Sequence, residues 1–230
     1  MIKENIEQVE SNIAKACARA GRNRSEVTLI AVSKTKPIED IQEAIACGMT
    51  EFGENKVQEL THKMEVIGTD VTWHLIGHLQ TNKVKYIVDK PLLIHSVDSV
   101  KLAAELQKEA AKKQTECKIL LEVNVAEEES KFGFHYDEVL AAVQEIAAFP
   151  NVHIQGLMTI APFVENPEDN REIFAKLHKL LLDIKTRNID NVNMSVLSMG
   201  MTNDYMVAIE EGATMIRVGT GIFGERNYNI

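Results

Sequence analysis

Short apolar runs alternate with stretches of helical spacing along almost the whole chain, and this alternation restricts the fold more than any other feature. The runs cover residues 27–33, 51–53, 71–77, 92–95, 117–125, 152–160, 193–197 and 213–218, eight strand candidates in all. Between them, residues 38–47, 56–64, 99–112, 136–148, 168–186 and 203–211 show helical spacing or helix-forming composition. Runs this short, rich in β-branched residues and apolar at both parities, suit strands buried on both faces, as in a parallel sheet under helices. The pattern predicts an α/β fold, a single (β/α)8 barrel over residues 1–230, with a doubly wound sheet as the alternative. Ile2, Ile6, Val9, Ile13, Ala16 and Ala20 recur every three or four residues up to Gly21, so an extra N-terminal helix covers the barrel. No Pro-rich, Ser-rich or low-complexity stretch marks a domain boundary. The least strand-like run is the second, because Thr50-Glu-Phe-Gly-Glu is brief and polar.

Composition narrows the function. A net charge of −9 and a pI near 5.3 argue against a nucleic-acid partner, which needs a basic surface to displace counterions. Cys17, Cys47 and Cys117 are odd in number, widely spaced and without a CxxC pair, so reduced thiols are expected rather than disulfides or a zinc site. The first residues are acidic where a signal peptide would be apolar, and no apolar run reaches membrane-spanning length. A cytoplasmic protein without a membrane partner is expected, and a monomer, since no large exposed apolar helix stands out.

In a (β/α)8 barrel the chemistry gathers at the C-terminal ends of the strands, and the first strand lies beside the last. The first run ends in Ala31-Val-Ser-Lys34-Thr-Lys36-Pro37, the seventh in Ser198-Met-Gly200 and the eighth in Arg217-Val-Gly219-Thr220-Gly221. The last two read as small-residue turns. Gly219 and Gly221 free the backbone to point N–H groups at an anion, and Thr220 adds a hydroxyl. A lysine that can form a Schiff base, facing a phosphate cradle, is what pyridoxal phosphate requires. Two residues apart in an extended chain, Lys34 and Lys36 would share a face, and one cation would ease deprotonation of the other. Parity does not choose between them; Pro37 ends the strand just beyond Lys36, so Lys34 sits deeper. Each residue also has a plainer reading, Lys34 as a solvated strand-end lysine and Arg217 as half of a rim salt bridge.

Three patterns mislead. Gly219-Thr-Gly221-Ile-Phe-Gly224 matches the dinucleotide fingerprint GxGxxG, but too little sequence follows for a βαβ unit. His74 and His78 have the spacing of two zinc ligands but lack the HExxH glutamate and fall where a strand runs into a Gly turn. His95, Ser96 and Asp98 evoke a hydrolase triad without a nucleophile elbow.

The segments Ala31-Val-Ser-Lys-Thr-Lys-Pro37, Phe52-Gly-Glu-Asn-Lys-Val-Gln-Glu59, Trp73-His-Leu-Ile-Gly-His-Leu-Gln-Thr-Asn-Lys83, Gly156-Leu-Met158, Leu197-Ser-Met-Gly-Met201 and Arg217-Val-Gly-Thr-Gly-Ile-Phe-Gly224 resemble the pyridoxal phosphate homeostasis proteins, whose fold is like the N-terminal barrel of alanine racemase. By that resemblance Lys34 carries pyridoxal 5'-phosphate as a Schiff base, and Ser198, Gly219 and Thr220 bind its phosphate. Gly200 shapes the phosphate loop, Arg217 faces the pyridine nitrogen, and Asn55, Met158 and Asn124 lie near the ring. The resemblance implies a carrier with little or no catalysis that could supply PLP-dependent apoenzymes. A racemase needs a second base, a tyrosine from another domain of a partner chain; the sequence stops where that domain would begin, and Tyr86, Tyr136, Tyr205 and Tyr228 are no obvious substitute. A low-activity amino-acid racemase and a cofactor-free Schiff-base aldolase are the alternatives.

Overall fold

A computed structural model of the chain describes residues 1–68, 70–129 and 131–225; Tyr228 lies outside this set. Among the described residues the strands are β1 (Thr28–Val32), β2 (Glu51–Glu54), β3 (Thr72–Leu75), β4 (Leu92–Val97), β5 (Cys117–Asn124), β6 (Phe134–His135), β7 (Val152–Met158), β8 (Val192–Met201) and β9 (Met215–Val218). All except β6 build one parallel barrel. Neighbours in sequence pair around it, and β9 returns to β1 with Ile30 opposite Arg217, while β4 meets β5 at Ile94 and Ile119 to complete the circle. The barrel therefore replaces the doubly wound alternative. β6 pairs only with the end of β5, opposite Val123 and Asn124.

The helices are α1 (Ile2–Arg19), α2 (Ile38–Ala46), α3 (Val57–Ile67), α4 (Val100–Lys112), α5 (Val139–Ile146), α6 (Arg171–Lys185), α7 (Tyr205–Glu210) and α8 (Thr220–Phe223). Between β3 and β4 a 3-10 stretch, Thr81–Tyr86, does the crossover. Ser99 starts α4 by accepting the Leu102 N–H at 3.1 Å, which satisfies one of the orphan donors at a helix start. α1 buries the stripe Ile2, Ile6, Val9, Ile13, Ala16 and Cys17. It covers the seam where the barrel shuts: Asn5 donates to the Ile222 carbonyl at 2.8 Å, and just past the helix Arg22 donates to that of Ile209 at 2.7 Å. No helix among the described residues is long and apolar enough to cross a membrane.

Strand alternation sorts the barrel into two environments. Leu29, Ala31, Phe52, Trp73, Leu75, Ile119, Leu121, Ile216 and Val218 point outward and join the core beneath the helices, where each large aliphatic side chain is worth about 1.5–3 kcal/mol. The interior holds Ile30, Val32, Ile76, Leu120 and Met158, which are buried outside that core, together with His74, His95, Glu122, Ser198 and Arg217. Apolarity at both parities thus holds only in part. The brief second strand stands because Phe52 packs on Trp73, ring centroids 5.8 Å apart, and because its buried Glu54 has partners. All three cysteines are free thiols; Cys17 and Cys117 are buried, Cys47 partly so, and burial lifts the Cys117 thiol to about 12.

Candidate functional site

At the C-terminal ends of the strands a cavity of about 580 Å³ opens, lined by Lys34 and Val32 after β1, Asn55 after β2, Arg217, Gly219 and Thr220 from the end of β9, and a wall from residues 160–163 and 201–204. Its size lies within the usual range of small-molecule sites. Closure of the barrel brings Lys34 and the glycine turn, nearly a chain length apart, to one mouth. A second cleft of the same volume, between the β5 loop and α6, shares no lining residue with it.

Lys34 begins a tight turn. Thr35 adopts a left-handed φ of 64°, costly for a threonine, and its N–H donates to Glu59 Oε1 at 2.6 Å. Beneath it Lys63, 3% exposed, donates to the Ser33 carbonyl at 2.8 Å and to Glu54 Oε1 and Glu59 Oε1 at 2.7 Å each. The left-handed step separates the two lysines that an extended chain would align. The Lys36 amine instead donates to the carbonyls of Phe223 and Gly224, at 3.0 and 3.4 Å, and does not line the cavity. The expected shared face of Lys34 and Lys36 is therefore corrected.

Ser198-Met-Gly200 is no turn; β8 runs through it to Met201. Gly200 permits this with φ +94°. A Cβ there would stand 2.6 Å from the Ala208 Cβ and 2.9 Å from the Tyr205 Cα, so Gly200→Ala is expected to cost on the order of 2 kcal/mol or more in chemical denaturation. Ser198 is wholly buried and does not line the cavity; its hydroxyl meets Arg217 and, at 2.8 Å, His95 Nδ1. Met158 is likewise buried and does not line the cavity, and Asn124 clamps the chain at Glu128. The hydroxyl that does reach the glycine turn is Thr202, which accepts from the N–H groups of Gly219 at 3.3 Å and Gly221 at 3.4 Å. Sequence reasoning missed Thr202, although a hydroxyl two residues past a strand-end glycine was a signal.

Arg217 is 3% exposed and donates Nη1 to Ser198 and Nη2 to the Thr159 carbonyl at 2.8 Å. Burial pulls its pKa down to about 10, with Glu122 and Asp204 opposing, so the group stays cationic at neutral pH. The rim salt bridge of the plainer reading gives way to a buried cation. Glu122 is pushed up to about 7, chiefly by burial, with Asp98 adding to the rise and Arg217 opposing it. Its folded pKa exceeds the unfolded one, so the stability it contributes is present below the ordinary 4.5 and lost as pH rises through about 7. Glu122→Gln should remove that loss, seen as a flatter urea midpoint across the same window.

The misleading histidines have other partners. His74 bonds His95 and Glu51, each at 2.8 Å, while His78 bonds Asp98 at 3.0 Å and stacks on Phe132. The triad dissolves too, since His95 turns to Ser198.

The cavity suits an aromatic phosphate aldehyde. Asn55 Oδ1 in its wall is buried without a hydrogen-bond partner, a cost that an arriving donor would relieve. A phosphate could take the long Gly219 and Gly221 N–H bonds now held by Thr202.

The family model for the alanine racemase N-terminal domain matches residues 5–227. A pyridoxal phosphate homeostasis protein of Aquifex aeolicus is 47% identical over 226 residues, 98% of each chain. The structure of PipY from Synechococcus elongatus with PLP bound is 34% identical with a TM-score of 0.83, covering 97% of this chain and 100% of that one. An alanine racemase of Clostridium difficile, 11% identical with a TM-score of 0.79, shares the fold over 99% of this chain and 57% of its own. The chain belongs to the alanine racemase N-terminal domain family and, within it, groups with the pyridoxal phosphate homeostasis proteins.

Proposed function

We propose that the chain binds pyridoxal 5'-phosphate through a reversible Schiff base on Lys34 and acts as a cytoplasmic, monomeric, one-domain carrier that keeps the free aldehyde low. Its role would then lie in vitamin B6 homeostasis and, indirectly, in amino-acid and keto-acid homeostasis. The observation that carries this reading is the meeting of Lys34, Asn55, Arg217, Gly219 and Thr220 around one cavity. PLP bound to PipY and the naming of the relatives support it.

Lys34 would hold the cofactor by condensing its amine with the aldehyde, with loss of water, and hydrolysis or exchange with an incoming amine would release it. Gly219, Gly221, Thr202 and Thr220 take the phosphate, with Gly200 shaping the strand end behind them. Arg217, which donates to Ser198, would hold the pyridine nitrogen side of the cofactor, with Asn55 and Met158 as the residues nearest the ring. When bound, the cofactor supplies an electrophilic aldehyde and a ring that can act as an electron sink. A guanidinium that keeps its proton leaves that ring a poor sink, which favours carriage over racemisation. PLP-dependent apoenzymes are the natural recipients of what it releases.

The test is an absorption spectrum of the purified chain with added cofactor, before and after borohydride. A visible band that disappears on reduction, leaving a mass increment on the peptide containing Lys34, is expected; protein that stays colourless sinks the reading. Solvent deuterium entering the α-carbon of amino acids above the level given by free cofactor would favour a racemase.

A further inference from the structure

Five side chains cross the barrel interior in single file. Glu51 Oε2 lies 2.8 Å from His74 Nε2, His74 Nδ1 lies 2.8 Å from His95 Nε2, and His95 Nδ1 lies 2.8 Å from the Ser198 hydroxyl, which meets Arg217 Nη1. The members come from β2, β3, β4, β8 and β9. At one end the Glu51 side chain is 26% exposed; at the other Arg217 lines the cavity. His74, His95, Ser198 and Arg217 are all buried.

With His74 neutral, the chemistry of the two ends decides where every hydrogen in the file sits. A guanidinium only donates, an ionised carboxylate only accepts, and a neutral imidazole has one N–H and one lone pair. Arg217 donates to Ser198, so the Ser198 O–H is left to turn to His95 Nδ1. His95 Nε2–H then donates to His74 Nδ1, and His74 Nε2–H to Glu51. Reversing the middle of the file would set a bare imidazole nitrogen against the Glu51 carboxylate, two acceptors facing each other. Burial, with the Arg217 cation nearby, holds His95 well below the usual histidine range and so keeps it neutral.

We propose that Glu51, His74 and His95 are positioning residues that act as a one-way relay: the rim carboxylate sets both imidazole tautomers and thereby presents the Ser198 oxygen to Arg217 as a fixed acceptor at the cavity floor. A polar interior that merely satisfies itself would not depend on the sign of one distant rim group. The consequence for bound cofactor rests on the proposed role of Arg217; the tautomers do not.

Two-bond proton–nitrogen spectra of the ligand-free protein, labelled at histidine, are expected to show both His74 and His95 as neutral Nε2–H tautomers at neutral pH. An Nδ1–H tautomer or an imidazolium at either position overturns the relay. Glu51→Gln offers an amide that donates as well as accepts, so the file can run either way. His95 should then populate both tautomers, and the loaded protein should show a shifted visible band and several-fold weaker cofactor retention. Glu51→Asp should restore all three signals. Glu116→Gln, which removes a carboxylate from the partly exposed His153, outside the file, should change none of them. If Glu51→Gln leaves the His95 tautomer and the visible band unchanged, the relay is wrong. Failure of the cofactor reading looks different: reducible cofactor would persist in Lys34→Ala while the histidine tautomers stayed as assigned.

Discussion

Lys34→Ala is expected to bring borohydride-trapped cofactor down to background, while Lys36→Ala keeps it. The difference follows from where the two amines lie. Lys34 lines the cavity with Asn55, Arg217, Gly219 and Thr220, whereas the Lys36 amine sits on the carbonyls that end α8. The turn itself should survive loss of the Lys34 side chain, because its backbone is held by other groups: Glu59 takes the Thr35 N–H, the Ser33 carbonyl accepts the Lys36 N–H at 3.0 Å, and Lys63 braces that carbonyl. Retention of unreduced cofactor should fall but not vanish, since the phosphate contacts and Arg217 remain. Lys36→Ala should instead cost about 1 kcal/mol through lost bonds to the carbonyls of α8, read in urea denaturation. Intact-mass spectra after reduction separate the variants, and a mass increment persisting in Lys34→Ala would move the nucleophile to another lysine.

Much of this architecture was legible because each strand's outward face is apolar and a helical stretch lies between most successive barrel strands. Eight runs found eight barrel strands, and the seam between Lys34 and Arg217 followed from closure alone. The interior was not legible, for a physical reason. His74, His95, Glu122, Ser198 and Arg217 stand on five different strands, and only a closed barrel makes them neighbours. In one dimension the zinc spacing of His74 and the triad around His95 could be dismissed and core packing preferred, but no partner could be named for either, and Ser198 read as a loop hydroxyl. Two local conformations were hidden as well. Nothing in Lys34-Thr-Lys36 announces a threonine with φ 64°, which requires the Glu59 carboxylate beneath it, and Gly200 with φ +94° lets a strand continue where small residues read as a turn. β6 escaped because two residues carry no period.

Lys63→Met should be the most destabilising single change at this end of the barrel, by about 3–5 kcal/mol at neutral pH. Lys63 is the cation between a wholly buried Glu54 and a partly exposed Glu59, and its three hydrogen bonds also brace Ser33. Removing it leaves carboxylates facing one another in a site that water does not reach freely. The pH dependence separates this account from a simple packing defect. Burial already raises the Glu54 pKa, and Lys63 is the largest of the groups pulling it back, so Lys63→Met lifts it further. A carboxyl whose folded pKa lies above its unfolded one stabilises the fold below the unfolded value, and that stability is lost as pH rises through the folded value. The stability gap between Lys63→Met and the parent should therefore narrow in acid and widen towards neutrality. A Glu54→Gln partner substitution should recover part of the loss at neutral pH, since an amide needs no cation. Urea denaturation of the single and double variants at acidic and neutral pH measures this directly; a gap that stays constant with pH would show that the lysine stem, not its charge, holds the turn under Lys34.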